Sequence, residues 1–563
     1  MTGPHLLALP LLALPLLTLG CKKEDPDGGS GTDVPVSPSL SLTSPAAASW
    51  LPAGPTPVEG LVHEVRAVKV NGADATVGEG GDFAGQVTLQ RGVNVVEARG
   101  TATNGDVLYA RHGVLAGDFR NPSGSVDEAA VVRLNQGGLD QLLSMVGGML
   151  SAETLNGALA GMNPVYSDSY GVFGWDAVVI SADVVQVRFG TPSLSLTPSA
   201  GRLQLSGSLP DLEVDARAYG EVVGIDFDSD VIMWASSVDL VGELTLGTQG
   251  GMVTAELGDV TLDLVGFGYD TSLLPGDIEA YILVDTLRAT LEEQVVAMVQ
   301  EQVPALIDEA LAGLELSFET ELMGSVLSVQ ADVARVDVDN DGVELGLDLA
   351  VDMPDAGVQG QGVLAAGDGQ PSVDRAADMA AAISDDLMNR MLYEAWGAGS
   401  LELTLSTYDG SLEPFLLTPL HAEEGTITVS ALLPPVLVED DGRLQAQVAE
   451  LIVNIDTPDG ELGTHLQIAV NAFVAVDLLY EDGEIALDLG EVNLSLMVRE
   501  SDWGASNEAV TQLVEEMLPL ETMLALLGTI SFPVPEIQGL VLGDVVVSRD
   551  PDGVHTGLTA ALE

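Results

Sequence analysis

Three groups of residues in this chain are of types that do chemistry: one cysteine, six histidines and a run of regularly spaced acids. Cys21 is the sole cysteine, so no intrachain disulfide can form. It ends the stretch "HLLALPLLALPLLTLGC", an apolar run of about fifteen residues, too short to span a bilayer. In "DVDNDGVELGLD", Asp337, Asp339, Asp341 and Asp348 fall at alternate and terminal positions with Gly342 sixth, the spacing of a calcium loop. The last acid is Asp rather than a bidentate Glu, and strands flank the run. The same Asp-Gly turn recurs in "VEDDGR", "YEDGE" and "RDPDG", so we read a plain hairpin without metal. His5, His63, His112, His421, His465 and His555 lie scattered, without ligand spacing and without a partnered nucleophile. There is no Gly-x-Ser-x-Gly elbow, phosphate loop or dinucleotide fingerprint, and neither a cofactor nor an enzyme is expected.

The elements that position these residues are bounded first by composition. A chain of 563 residues has length for two to four domains. Hydrophobic residues make up 46%, and the mean hydropathy is +0.30. Against 19 basic residues stand 86 acidic ones, a formal charge of −67, which repels phosphate backbones. Nucleic acid is excluded as a partner, and the acids read as a solubilising surface.

Residues 1–20 and Cys21, followed by the polar tether "KKEDPDGGSGTDVPVSPS" within residues 21–39, resemble a bacterial lipoprotein signal. The resemblance implies acylation of Cys21 and anchoring in the cell envelope, at the outer membrane or cell surface. The start "MTGPH" lacks Lys or Arg, and Leu19 is bulkier than that pattern's usual residue. Residues 40–120 carry turn signals every eight to twelve residues, among them Asn71-Gly72, Gly80-Gly81-Asp82 and Arg91-Gly92. Its "VKVNG", "GDF" and "LQRGVN" resemble bacterial immunoglobulin-like modules, which implies a small β-sandwich acting as a spacer.

From residue 127 the periodicity changes. Leu139, Leu142, Leu143, Val146, Met149 and Leu150 share one helix face. Alternating strands follow, and then a helix from Asp277 with the stripe Leu287, Leu291, Val295, Met298 and Val299 and an internal Pro304. Residues 127–352 end on a hairpin, and 353–371 read as a Gly- and Asp-rich linker. Residues 372–563 repeat the order. A helix presents Ile383, Leu387, Met388, Met391, Leu392 and Ala395; strands follow, then a late helix near Ser506 carrying Pro519, then a hairpin. This is a tandem repeat of one architecture.

Three stretches resemble one lipid-transfer family, that of bactericidal/permeability-increasing protein, lipopolysaccharide-binding protein and cholesteryl-ester transfer protein. They are "VRLNQGGLD", "ISDDLMNRMLYEAWGAGSLELTL" and "ISFPVPEIQGLVLGDVVV". The likeness implies an α+β fold: two tandem elongated domains, each a long helix packed on a strongly twisted antiparallel sheet, here preceded by the small β-sandwich. It implies apolar tunnels for phospholipid or another acyl lipid, with Leu142, Met145, Val146, Met149, Leu291, Val295, Met298, Leu387, Met388, Met391 and Leu392 as lining. Met suits an adaptable wall. Exposing a chain of about sixteen carbons costs roughly 0.8 kcal/mol per CH₂, near 13 kcal/mol in all, which a carrier must offset. The family's disulfide is impossible here, and its basic tip has no counterpart at −67, so endotoxin capture is not implied. Dry cores in a structural or adhesive envelope protein remain the competing reading.

Overall fold

The structure is a computed structural model that describes residues 37–502, 531–534 and 542–562, apart from 148–150, 173–174, 223, 272–276, 313–316, 323–324, 355, 358–359, 368–370, 441, 459, 461–462, 482 and 551–552. Cys21, Met149 and the late helix near Ser506 lie outside the described residues.

Between Ser39 and Ala116 nine strands form a four-stranded and a five-stranded sheet closed on one core of Val58, Phe83, Val96 and Val114. Asn71 and Gly72 turn one hairpin with φ 43° and 83°, as a two-residue turn with both centres left-handed requires. The chain then enters β1 (Ser125–Asn135), which runs straight into α1 (Gln136–Gly147), with α2 (Ala152–Ala160) after it. A long hairpin, β2 (Arg202–Val222) and β3 (Ile225–Gln249), dominates an eight-stranded antiparallel sheet. Leu203, Leu205 and Leu209 of β2 bury one face, as do Leu212 and Val214, so the alternation changes phase near Asp211. Asp211 has φ 53°, and its left-handed backbone keeps apolar side chains inward on both sides of it. β3 changes phase opposite it, from Val231, Met233 and Ala235 to Val238 and Leu240.

α3 (Asp277–Ala312) carries Pro304 inside and is about 54 Å long at 1.5 Å per residue. Its buried row Val284, Leu287, Leu291, Val295, Val299, Val303, Ile307 and Leu311 steps by three and four, and it packs against α2 and the inner face of the eight-stranded sheet. A hairpin, β4 (Ser325–Val338) and β5 (Gly342–Asp352), follows, and then β6 (Met379–Ser384) leads into α4 (Asp385–Gly397). The second half is built on β7 (Arg443–Asp456), β8 (His465–Glu481) and β9 (Glu484–Ser501) in a seven-stranded sheet. The chain closes on the hairpin β10 (Leu542–Arg549) and β11 (His555–Leu562).

A third large sheet joins the halves. Its order is the strand Phe318–Leu322, β4, β5, β1, β6, β11, β10. β1 and β6 lie side by side antiparallel, Ala130 opposite Ile383 and Leu134 opposite Met379, and each strand continues into a helix. The stretch read as a linker also carries structure: Val363–Leu364 pairs with Phe119–Arg120.

The sequence expectation of an α+β fold, a long helix on a sheet in each domain, is overturned. Among the described residues strands make up 63% and helices 13%, and the sheets curl as half-barrels. Two local reasons are visible. Ile383, assigned to a helix face, is in β6, because Ser384 caps α4: its hydroxyl accepts a hydrogen bond from the Leu387 N–H. The second half's opening helix is then only 13 residues and cannot cover a sheet.

Candidate functional site

The residues expected to line an acyl-chain tunnel fall into one apolar body. Leu291, Val295 and Met298 of α3 and Leu387, Met388, Met391 and Leu392 of α4 belong to a single continuous core that runs through the inner faces of all three large sheets. Val295 is fully buried and Met298 is 8% exposed. None of the seven lines the cavities described below. Leu142, Met145 and Val146 lie on α1, whose neighbours Leu139 and Leu143 enter the same core; Met149 is outside the described residues.

α4 is buried on both faces. One face is the Leu387, Met388, Met391, Leu392 and Ala395 row; the other carries Asp385, Asp386, Asn389, Arg390 and Glu394, all buried as well. Buried charges must be paired. Asp385, 0% exposed, takes both ends of the Arg549 guanidinium at 2.7 and 2.8 Å. Arg390 pairs with Glu394 at 2.6 Å, one helical turn on. Asn389 accepts from the Leu437 N–H at 2.7 Å and donates back to the Leu437 carbonyl at 3.1 Å. Burial pulls Arg390 below and Glu394 above their ordinary values, and the attraction between them opposes both shifts. The Asp386 carboxyl is likewise raised by burial, against the Ala366 N–H and Arg120 that hold its oxygens.

Beside the N-terminus of α4 lies a polar cavity of about 460 Å³, walled by Arg120, Glu128, Ser384, Asp386, Arg390 and His555 among others. Sequence reasoning missed it. Its signal was the polar spacing Asp386, Arg390, Glu394, which is also that of a solvated helix face; only the strand Phe119–Arg120 and the closing hairpin make it an interior. A shallower groove of about 680 Å³ runs beside Tyr219, Phe227 and Asp228, and a smaller one of about 190 Å³ beside Arg443 and Arg549.

The Asp337–Asp348 run forms the β4–β5 hairpin. Asp339 accepts from the N–H groups of Asp341 and Gly342 and from the buried Arg133, at 2.7–3.0 Å. Burial alone would raise this carboxyl; Arg133 and the turn N–H groups prevail and hold it down at about 2. Asp337 pairs with Arg335, and Asp348 accepts from the Glu128 N–H.

No family model and no curated protein matches the chain. Among solved structures it is similar to a crystal structure of lipopolysaccharide binding protein at 16% identity and a TM-score of 0.43, over 78% of this chain and 99% of that one. At that score the likeness carries neither fold nor ligand to this chain.

Proposed function

We propose that the chain is a lipid-binding protein, not an enzyme, which holds an acyl chain in its apolar interior between α3 and the curled eight-stranded sheet. One observation carries the reading. An apolar body runs without a break from the α3 row, through the sheet between the halves, to Met388 and Met391 of α4. The buried row of α3 from Val284 to Leu311 alone gives it a length of about 40 Å at 1.5 Å per residue, more than the roughly 30 Å breadth of a small domain, and a long flexible apolar ligand matches that shape. The three sequence stretches that resemble the lipid-transfer family support it. Membrane anchoring through an acylated Cys21 belongs to the same proposal, as does transfer of the lipid between membranes.

Extraction of purified full-length protein followed by mass spectrometry tests the cargo. In a lipid-filled interior, Met298→Trp and Met391→Trp displace mobile ligand, so each variant stays folded and carries less lipid than wild type. In a close-packed core an inserted indole costs about 1–3 kcal/mol through overpacking. Marked destabilisation of both variants, with clean extracts from wild type, would establish the second reading, a structural envelope protein with dry cores. The near-complete burial of Leu291, Val295 and Met391 favours that alternative.

Anchoring is tested separately. Cys21→Ser should lose the detergent-phase pool, since stable attachment takes more than one chain. An unchanged partition would remove the anchor from the proposal and leave the cargo untouched.

A further inference from the structure

The two large curled sheets differ in what lies on their outer faces. In the second half, Ala449 of β7, with Val436 and Val438 beside it, shares a core with Val93 and Leu115 of the sandwich. In the first half, no element among the described residues covers the outer face of the eight-stranded sheet along β3 from Ile232 to Val241. We propose that this face is the docking surface for a cationic amphipathic helix of a partner chain, one with an apolar stripe and lysine or arginine along its edges.

An apolar stripe runs along β3. Ile232 and Trp234 alternate with the inward Val231, Met233 and Ala235 and are 38% and 43% exposed. Past the phase change of the strand, Val265 lies outward opposite Ser237, 41% exposed, and Val241 follows at 44%. From Ile232 to Val241 the strand advances about 30 Å at 3.3 Å per residue, the length of about twenty helical residues. Nine of the 19 large apolar side chains exposed among the described residues belong to this sheet, and Trp234 is the one tryptophan in that set, so the stripe is a patch rather than scatter. The indole is seated on the strand beside it: it lies across Gly268, where a Cβ would come within 2.6 Å of the ring.

Carboxylates border the stripe. Glu213 and Asp215 of β2 stand opposite Trp234 and Ile232 and share Arg188, at 2.7 and 2.8 Å. Asp270 lies opposite Ile232 on the other side, and Asp230 precedes it on the same face. Asp239 and Asp263 are directly opposite each other between Val265 and Val241, two like charges in register, an arrangement that costs stability and that a cation would relieve. Asp230, Asp239, Asp263 and Asp270 form no ion pair among the described residues. A second copy of the chain, at −67, is repelled from this face, and so is an anionic membrane. A helix with basic edges and an apolar stripe complements both the carboxylates and the exposed side chains between them.

The probe is a fluorescent peptide of about twenty lysines and leucines with the leucines on one helix face. Titrated with full-length protein in dilute buffer, it should bind with an affinity that falls as salt is added. A scrambled peptide of the same composition has the same charge and no stripe, and should bind about tenfold more weakly. Ile232→Asp and Val241→Asp separate the stripe from charge alone: both side chains are exposed, neither forms the Gly268 seat, and each change makes the face more acidic. Binding weakened about tenfold in these variants, with the melting temperature kept and the preference over the scrambled peptide lost, supports the docking surface. Binding unchanged or strengthened in both variants, or equal for the two peptides, shows charge attraction alone and overturns it. Binding of phosphatidylglycerol vesicles in place of the peptide, lost in Ile232→Asp, identifies a membrane surface and overturns it as well.

Discussion

Asp385 and Arg549 show what a residue pair does when both members are buried. The pair is bidentate, and Arg549 donates besides to the Thr556 hydroxyl and the Gly553 carbonyl. Breaking it from one side leaves a buried charge without its counter-ion, at a cost of about 3–5 kcal/mol. Arg549→Met should therefore destabilise strongly in urea, and adding Asp385→Asn should recover part of the loss; a double variant as unstable as the sum of the singles would argue against the pair. Asp339 gives a pH test of the opposite kind. Its carboxyl titrates at about 2 in the folded chain against 3.8 in the ordinary case. Because the folded value is the lower, the stabilisation is complete above pH 4 and is lost as pH falls from there through 2. The difference in stability between wild type and Asp339→Asn should shrink across that window. Glu394 and Asp386 have the contrary sign: raised folded values weaken the fold above them and favour it as pH falls.

At the level of elements, the joint between β6 and α4 is set by one hydroxyl. Ser384 satisfies the Leu387 N–H at 3.3 Å, and without it a buried helix start keeps an open donor. Ser384→Ala should cost about 1 kcal/mol, read as a shift in the denaturant midpoint at constant slope, whereas Ser384→Asp should be tolerated in folding. The β4–β5 hairpin depends on a small residue instead. A Cβ at Gly342 would lie 2.2 Å from the Leu134 carbonyl oxygen of β1, so Gly342→Ala must push the hairpin from the sheet that joins the halves. Loss of near-ultraviolet signal in that variant, with strand content kept, would mark the loosening.

The whole molecule is tied together at a place the sequence read as a spacer. Glu450 of β7, 1% exposed, accepts from Arg499 at 2.7 Å and from the Gly113 N–H at 2.5 Å, and Gln447 accepts from the Val93 N–H at 2.7 Å. Val93 and Leu115 of the sandwich share a core with Val436, Val438 and Ala449 of the second half. The sandwich is docked, so sandwich and second half should melt in one calorimetric transition, and Glu450→Ala should split off an earlier one; two transitions in wild type would show that the docking is weak. The charge acts on the same scale. At −67 the folded chain repels itself, and screening by salt should raise the melting temperature in dilute buffer before saturating.

By itself the sequence determined what periodicity and turn chemistry encode locally. The α3 row, the apolar row of α4 from Leu387 to Leu392, the Asn71-Gly72 turn and the β4–β5 hairpin are all legible from side-chain spacing, because spacing follows from 3.6 and 2 residues per turn or pleat. Tertiary structure decided what covers each face. Asp386, Arg390 and Glu394 have the spacing of a wet helix face, and they are interior only because strands distant in sequence close over them. The balance of strand over helix was hidden for a related reason: β7 reads as a half-buried strand until the sandwich covers its outer side, and β1 and β6 find each other across more than two hundred residues. Burial is a property of what packs on top, and the chain's own periodicity records only which side is apolar, not what arrives to cover the other.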